Sequence, residues 1–571
     1  MEQEKQMKKK ESKRKSYIVL SAVILLLLML TGGYMMIDRY WVGDEVVTYG
    51  MANSTSQGWM LSTGRIRAYF EDEILTDSAQ QTMKNIVTFG KDLAENRRGA
   101  AYFSYPRPGE SGWYGKKQIS DWFSIGKNER FHLGDVYLNA MGDDANSYLY
   151  YELVHLSGSM FPELSETKWS AFLVNAAALV AVLLLLYAIA GYFTENTKKQ
   201  LAVCLLFGCS VGCLDLSTYL RAYMLAMAFQ LALLLVHLKL YRAMREGMEK
   251  VVRRDITVLL VLYPLGYIAH YTTGLWAAVL GLATLIWLRK NLTGQERKKN
   301  TGRYLICGIL AIGIGILLDP MSVLGLLSKL SGTGTSLAQA LKESAEGFVA
   351  AVFGNALWMA GFSVVFVLNL IQAVRKVRKK DTRLVWLEWL LAGYCALIVL
   401  TTRFAYFKVA YPLMFVVIVM EMTSYAKTIT NHNRSRIVYS VLALVFIGSS
   451  LVYTYQEKHT EVQANDQIEA ALEDADTDRL ILIRDHAEGY ECFPLLKRYE
   501  SVYVLTMGEE KLDALLTDTQ IGTQKNITVL ITNTKTDDEI FRDWVLAHKL
   551  GDDMDTLCKT GKYEVVKWHI E

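Results

Sequence analysis

Runs of about 20 apolar residues recur along this chain, separated by short strings of Lys and Arg. That pattern admits few folds. At 1.5 Å per residue, about 20 helical residues cross the hydrocarbon of a bilayer. Backbone polar groups in lipid must be satisfied within the segment, so each run is read as a membrane-crossing helix. The chain has 571 residues, 52% of them apolar, with only 7 prolines, which excludes a disordered chain. The first run, Tyr17–Ile37, follows the basic stretch MEQEKQMKKKESKRK. No small-x-small cleavage site follows it, so it reads as an uncleaved anchor with a cytoplasmic N-terminus. Further spans are expected at Trp169–Phe193, Leu201–Leu216, Leu220–Leu238, Ile256–Ala269, Leu275–Leu288, Tyr304–Leu318, Phe348–Val374, Leu384–Leu400, Phe407–Tyr425 and Ile437–Tyr455.

Charge tests this map independently. Cytoplasmic loops carry an excess of Lys and Arg. With about eleven spans, the connections Thr194–Lys199, Lys239–Arg254, Arg289–Arg303, Arg375–Arg383 and Lys427–Arg436 fall on the N-terminal side, and each is short and basic. The alternate connections are poorer: His270–Gly274 has no Lys or Arg, and Asp319–Gly347 has only Lys329 and Lys342. Net charge is +3, and the basic residues sit where membrane topology needs them, so nothing points to nucleic acid. The map gives residues 1–16 as a cytoplasmic tail and 17–455 as a transmembrane domain. Residues 38–168 form a large outer loop, and 456–571 a domain on the same extracytoplasmic face of the cell membrane.

The tail reads as soluble and mixed α/β. Leu480–Ile483, Val502–Leu505 and Val529–Thr532 are short β-branched runs, alternating with helical patterns at Asp466–Glu473, Gly508–Leu516 and Asp537–Leu550. Such alternation predicts a small parallel sheet, edged by Tyr563–His569. In the outer loop, Phe70–Ile74 and Ser78–Glu95 read as helical. Five of the 7 cysteines lie in apolar helices, where a thiol packs as a small hydrophobe; Cys492 and Cys558 in the tail are a candidate pair.

The segment with most chemistry follows the first span: Asp38-Arg-Tyr-Trp-Val-Gly-Asp44-Glu45-Val-Val-Thr-Tyr49-Gly50. Taken alone, the carboxylates read as interfacial solvation with Tyr40 and Trp41 as an aromatic belt. The segment resembles, however, the Asp-Glu motif opening the first outer loop of C-type (GT-C) membrane glycosyltransferases, in the protein O-mannosyltransferase and aminoarabinose-transferase branch. Four further matches follow in order. Asp144-Ala-Asn-Ser-Tyr-Leu-Tyr150-Tyr-Glu-Leu-Val-His155 resembles Asp-x-His-Pro-Pro-Leu-Tyr-Tyr, departing at Asn146 and at Ser147-Tyr148. Tyr219-Leu-Arg221-Ala-Tyr223 resembles Glu-x-Arg-x-Tyr, with Tyr219 in place of Glu. His270-Tyr271-Thr-Thr-Gly resembles a His-Tyr turn. Arg403-Phe-Ala405-Tyr-Phe-Lys408-Val-Ala-Tyr411-Pro412 resembles an Arg-Tyr…Tyr-Pro segment, with Ala405 where the family has Arg, so that Arg403 or Lys408 must substitute.

The resemblance implies a GT-C-like helical bundle that moves a sugar from a polyprenyl-phosphate donor to a protein, lipid or wall-glycan acceptor at the outer face. It favours Asp44 as base, with Glu45 as a second catalytic candidate, a metal ligand or a loop-orienting residue. Arg221, Tyr223, His270, Arg403 and Lys408 become donor-phosphate candidates, a role that suits Arg because its planar fork engages two oxygens. The plain alternative for each Arg is a head group snorkelling to water. Asp144 and Tyr150 are further site candidates. The resemblance fixes no cofactor and leaves a divalent metal open, with Glu45 and Asp144 as its candidate ligands. Inversion by a single displacement needs no enzyme nucleophile. A transporter would call for inverted repeats and mid-membrane polar residues; a scaffold or receptor would leave Asp44 and Glu45 without a role. The C-terminal domain is a candidate for acceptor selection.

Overall fold

The computed structural model describes residues 2–55, 59, 69–95, 111–142, 148–320, 322–323, 342, 346, 353–361, 363–364, 367, 394, 432–484, 489–506, 512–515, 521, 525–532, 537–548, 554–560 and 562–570. The chain divides into two units. The first comprises Met1–Met35, Ala145–Tyr150 and Phe172–Gln456; the second comprises Met36–Asp144, Tyr151–Ala171 and Glu457–Glu571.

The first unit is helical. Arg14–Ile37, Trp169–Phe193, Tyr223–Arg245, Thr272–Asn291 and Gly294–Leu318 are each long and apolar enough to cross a membrane, and the bent pair Thr197–Gly208 and Val211–Thr218 makes a sixth crossing if it counts as one span. The chain is therefore a multi-pass membrane protein. The outward faces are apolar: on Gly294–Leu318, Ile309 is 68% and Leu317 82% exposed, a surface that only lipid can cover at low cost. Tyr223–Arg245 is the most buried of these five helices, with Leu231, Leu233, Leu234 and Leu240 fully packed.

Two expectations are corrected here. The span expected at Leu201–Leu216 is broken by 59° at Cys209–Ser210, where the Ser210 hydroxyl accepts from the Cys213 N–H at 3.3 Å and starts a new helix. The spans expected at Ile256–Ala269 and Tyr304–Leu318 belong to longer helices, Glu249–Ala269 and Gly294–Leu318. Their basic ends stay helical because Glu249 gathers Lys299 at 3.1 Å, Arg253 at 3.2 Å and Arg303. The expected spans from Leu384 to Leu400 and from Phe407 to Tyr425 lie outside the described residues, apart from Tyr394, and Phe348–Val374 is described only in part.

The second unit is built on a mixed sheet of β1 (Gly112–Gly115), β2 (Arg479–Arg484), β3 (Ser501–Thr506), β4 (Asn526–Ile531), β5 (Met554–Lys559) and β6 (Glu564–His569), in the order β1-β3-β2-β4-β6-β5. The parallel heart foreseen in the sequence is β3-β2-β4. The expected edge strand, β6, instead lies inside the sheet, antiparallel to β4, and β5 pairs outside it. The opposite edge comes from the outer loop: Gly112 to Gly115 run antiparallel to Val504 to Ser501. One sheet face packs Ile481, Ile483, Val529, Ile531, Phe541, Trp544 and Trp568 into a core. The candidate disulfide is absent: Cys492 and Cys558 are free thiols, Cys492 being buried beside Tyr490 and Cys558 lying on the edge strand β5. In the outer loop the helices at Phe70–Ile74 and Ala79–Glu95 match expectation.

Candidate active site

In the second unit the Asp-Glu pair opens a helix, Gly43–Asn53. Val42 is its N-cap in extended conformation and has no polar side chain for the role. Glu45 takes over, its Oε2 accepting the Val42 N–H at 3.1 Å, one half of a capping box. Asp44 occupies the first turn of the same helix, where the unpaired N–H groups and the helix dipole favour a carboxylate. The two neighbours differ sharply in surroundings. Asp44 is half-buried, whereas Glu45 is 0% exposed.

Burial at Glu45 is offset by a chain of opposite charges. Lys168 Nζ lies 3.0 Å from Glu45 Oε2 and 3.3 Å from Asp38 Oδ1, and it donates to the Tyr40 carbonyl at 2.8 Å. Lys458 Nζ lies 2.9 Å from Asp38 Oδ2. All four side chains are buried. Removal from water pushes the Glu45 carboxyl up, Lys168 pulls against that rise and Asp38 adds to it. Tyr40 and Trp41 both have partners within this unit. The Tyr40 hydroxyl donates to Glu469 Oε2 at 2.7 Å and to Asp466, and Trp41 packs edge-on to Tyr49 at 4.6 Å and to Phe123 at 5.5 Å. The far end of the helix is equally fixed. Asn53 donates to the Phe123 carbonyl at 2.7 Å, and His155 Nδ1 donates to the Ala52 carbonyl at 2.7 Å.

In the first unit two motifs from separate parts of the chain come together, each at a break between helices. Arg221 sits between Val211–Thr218 and Tyr223–Arg245, and His270 between Glu249–Ala269 and Thr272–Asn291. The Tyr223 and His270 rings are 5.2 Å apart, Tyr219 stacks on Tyr223 at 5.9 Å, and Tyr271 stacks on His270 at 4.6 Å. Arg221, Tyr223 and His270 are all buried. An Arg 8% exposed is not one that snorkels along an outer surface. The tautomer of His270 follows from its partners. Its Nδ1 accepts the Thr272 N–H at 3.2 Å and meets the Thr272 hydroxyl at 2.7 Å, so in the neutral ring the proton is on Nε2.

Tyr150 supports this region rather than standing apart from it. Its hydroxyl donates to Asn175 Oδ1 at 3.0 Å, and the Asn175 amide donates to the Tyr219 carbonyl at 2.9 Å. The turn carrying Arg221 is thus pinned through Asn175. Asp144, Arg403, Ala405 and Lys408 lie outside the described residues. Among the described residues no three His, Cys, Asp or Glu side chains converge as metal ligands, and Glu45 is engaged by Lys168. The sequence reading missed Lys168, Lys458 and Asn175. A signal existed for Asn175, a polar amide inside an apolar span. The two lysines carry no local signal, since their partners are remote in sequence.

No family model matches the chain, and no curated protein matches it. Among solved structures the chain is similar to ArnT from Cupriavidus metallidurans in the apo state, at 9% identity and TM-score 0.45, covering 97% of this chain and 98% of that one. It is also similar to the Archaeoglobus fulgidus oligosaccharyltransferase in the apo form, at 11% identity and TM-score 0.42, covering 70% of this chain and 63% of that one.

Proposed function

We propose that this protein is an inverting membrane glycosyltransferase of the GT-C type, taking a sugar from a polyprenyl-phosphate donor and passing it to an acceptor hydroxyl or amine at the outer face of the cell membrane. The observation that carries the reading is the meeting of the Tyr223 and His270 rings, 5.2 Å apart, with Arg221 buried two residues before Tyr223. The motif resemblance singled out all three in two separate segments, and each is buried at or beside a break between helices. A cation fork and an Nε2–H donor suit a phosphate leaving as an anion where the dielectric is low. In this reaction Asp44 accepts the acceptor's proton as its oxygen or nitrogen attacks the anomeric carbon. The bond from that carbon to the phosphate oxygen breaks, and polyprenyl phosphate leaves with the electron pair. Arg221, Tyr223 and His270 stabilise the charge on the leaving phosphate. Glu45 is the residue that orients the Asp44 helix. Arg403 and Lys408 are proposed as further phosphate cations, and Asp144 as an acceptor-side residue.

The test compares wild type with Asp44→Asn, inserted to equal levels, against a panel of radiolabelled polyprenyl-phosphate sugars and a crude envelope acceptor fraction. Loss of a general base is expected to lower transfer by about 10²–10⁴-fold. Equal transfer by both proteins removes Asp44 from the mechanism and turns attention to Glu45.

A further inference from the structure

The stretch from Asp38 to Asp44 is held by residues that follow the last span. Lys458 pairs with Asp38 at 2.9 Å, Arg39 pairs with Asp466, and the Tyr40 hydroxyl donates to Glu469 at 2.7 Å and to Asp466. These partners lie on one helix, His432–Asp474, in the part that leads into the C-terminal sheet. A second grip comes from beyond β2. The Gly43–Asn53 helix packs on the short turn Tyr490–Cys492. A Cβ at Gly43 would stand 3.2 Å from Glu491 Oε2 and 3.6 Å from Tyr490 Cβ, so the two segments are in close contact. Glu491 is itself held by Lys562, by the Tyr563 hydroxyl and by the Gly489 N–H at 3.2 Å. Beneath the helix, Trp59 meets Trp122 edge-on at 4.7 Å, and Trp122 meets Phe493 at 5.4 Å.

A domain present only to recognise an acceptor would have no need of these ties. We infer that the C-terminal domain positions the base: Lys458, through Asp38 and Lys168, fixes Glu45 and with it the first turn that presents Asp44. Lys458 is a positioning residue, acting on the reaction only through others. The chain of contacts is continuous, Lys458–Asp38–Lys168–Glu45, and buried throughout. Opposite charges in such a place have few alternative arrangements, because the attraction lost when a pair separates out of water is not replaced by hydration. The inference rests on the transferase reading.

The experiment uses the full chain in nanodiscs with whichever donor wild type turns over. Lys458→Met is expected to lower kcat by about 10–100-fold, the loss that a small misplacement of a reacting group produces, with KM for the donor within about threefold. Lys458→Arg, which keeps the cation, is expected to restore kcat to within about threefold of wild type. Wild-type kcat in Lys458→Met, while Asp44→Asn is inactive in the same assay, overturns the inference and leaves the transferase reading standing. Transfer by Asp44→Asn equal to wild type removes Asp44 as the base, and the inference with it. If Lys458→Met does not accumulate, Tyr40→Phe decides. It keeps the ring and every charge, and a fall in kcat of about threefold or more at unchanged KM is expected; wild-type kcat there also overturns the inference.

Discussion

Removing Lys168 isolates the energetics of the buried charge chain. In Lys168→Met, Asp38 keeps Lys458 at 2.9 Å, whereas Glu45 loses its ion-pair partner at 3.0 Å while remaining 0% exposed. Stripping one member from a buried pair costs about 3–5 kcal/mol. Glu45 has an escape, because it can take up a proton. Protonating a carboxyl of ordinary pKa at pH 7 costs about 3.7 kcal/mol at about 1.36 kcal/mol per pH unit, and burial already pushes this one up. The expected penalty is therefore about 3–4 kcal/mol at pH 7, or about 6–16 °C in Tm for a unit of this size. The pH dependence is the sharper signature. In the variant, Glu45 binds a proton in the folded state that it lacks in the unfolded state above pH ~4.3. Stability thus rises as pH falls, with a slope of at most about 1.4 kcal/mol per unit, until the unfolded carboxyl also takes up its proton near pH ~4.3. Thermal unfolding of detergent-purified protein from pH 5 to 8 measures this, with wild type as reference. Adding Glu45→Gln should recover most of the loss at pH 7 and abolish the slope. A Lys168→Met protein with wild-type Tm, or with a deficit independent of pH, refutes the account of Glu45 as a charge held in place by Lys168.

Three further outcomes are expected. Arg221→Lys keeps the charge but loses the planar fork, so transfer should fall by about tenfold or more, and Arg221→Met should fall further; equal activity in Arg221→Lys and wild type would reduce the residue to a point charge. Burial holds His155 below its ordinary range, so it folds neutral. Its contribution is present above the unfolded value of about 6.5 and is lost as pH falls through the folded value; thermal scans should show Tm declining below pH ~6.5, and His155→Gln should flatten that decline. Gly50 has the Trp59 ring directly against the position of a Cβ, so Gly50→Ala should cost about 1–3 kcal/mol through overpacking, read as a lowered Tm; an unchanged Tm would mean that Trp59 moves freely.

The sequence by itself determined the elements whose cause is local. A run of apolar residues is a membrane helix whatever surrounds it, because lipid offers the backbone no partner but its own segment, and this is why Trp169–Phe193 was legible to the residue. The three parallel strands were legible from their β-branched runs, and a helical start at Asp44-Glu45 is consistent with the one-sided cap that Glu45 provides. Only the tertiary structure decided what depends on partners remote in sequence. It brought Gly112–Gly115 to the edge of a sheet otherwise formed by residues 479–569. It also brought Lys168 and Lys458 to Asp38, and Tyr150 to the turn carrying Arg221 by way of Asn175. The physical reason is the same in each case. A strand edge, a buried carboxylate and a buried amide each require a partner, but they specify only its chemistry. Which of the chain's many lysines or strands supplies it is settled when the chain closes on itself and excludes water.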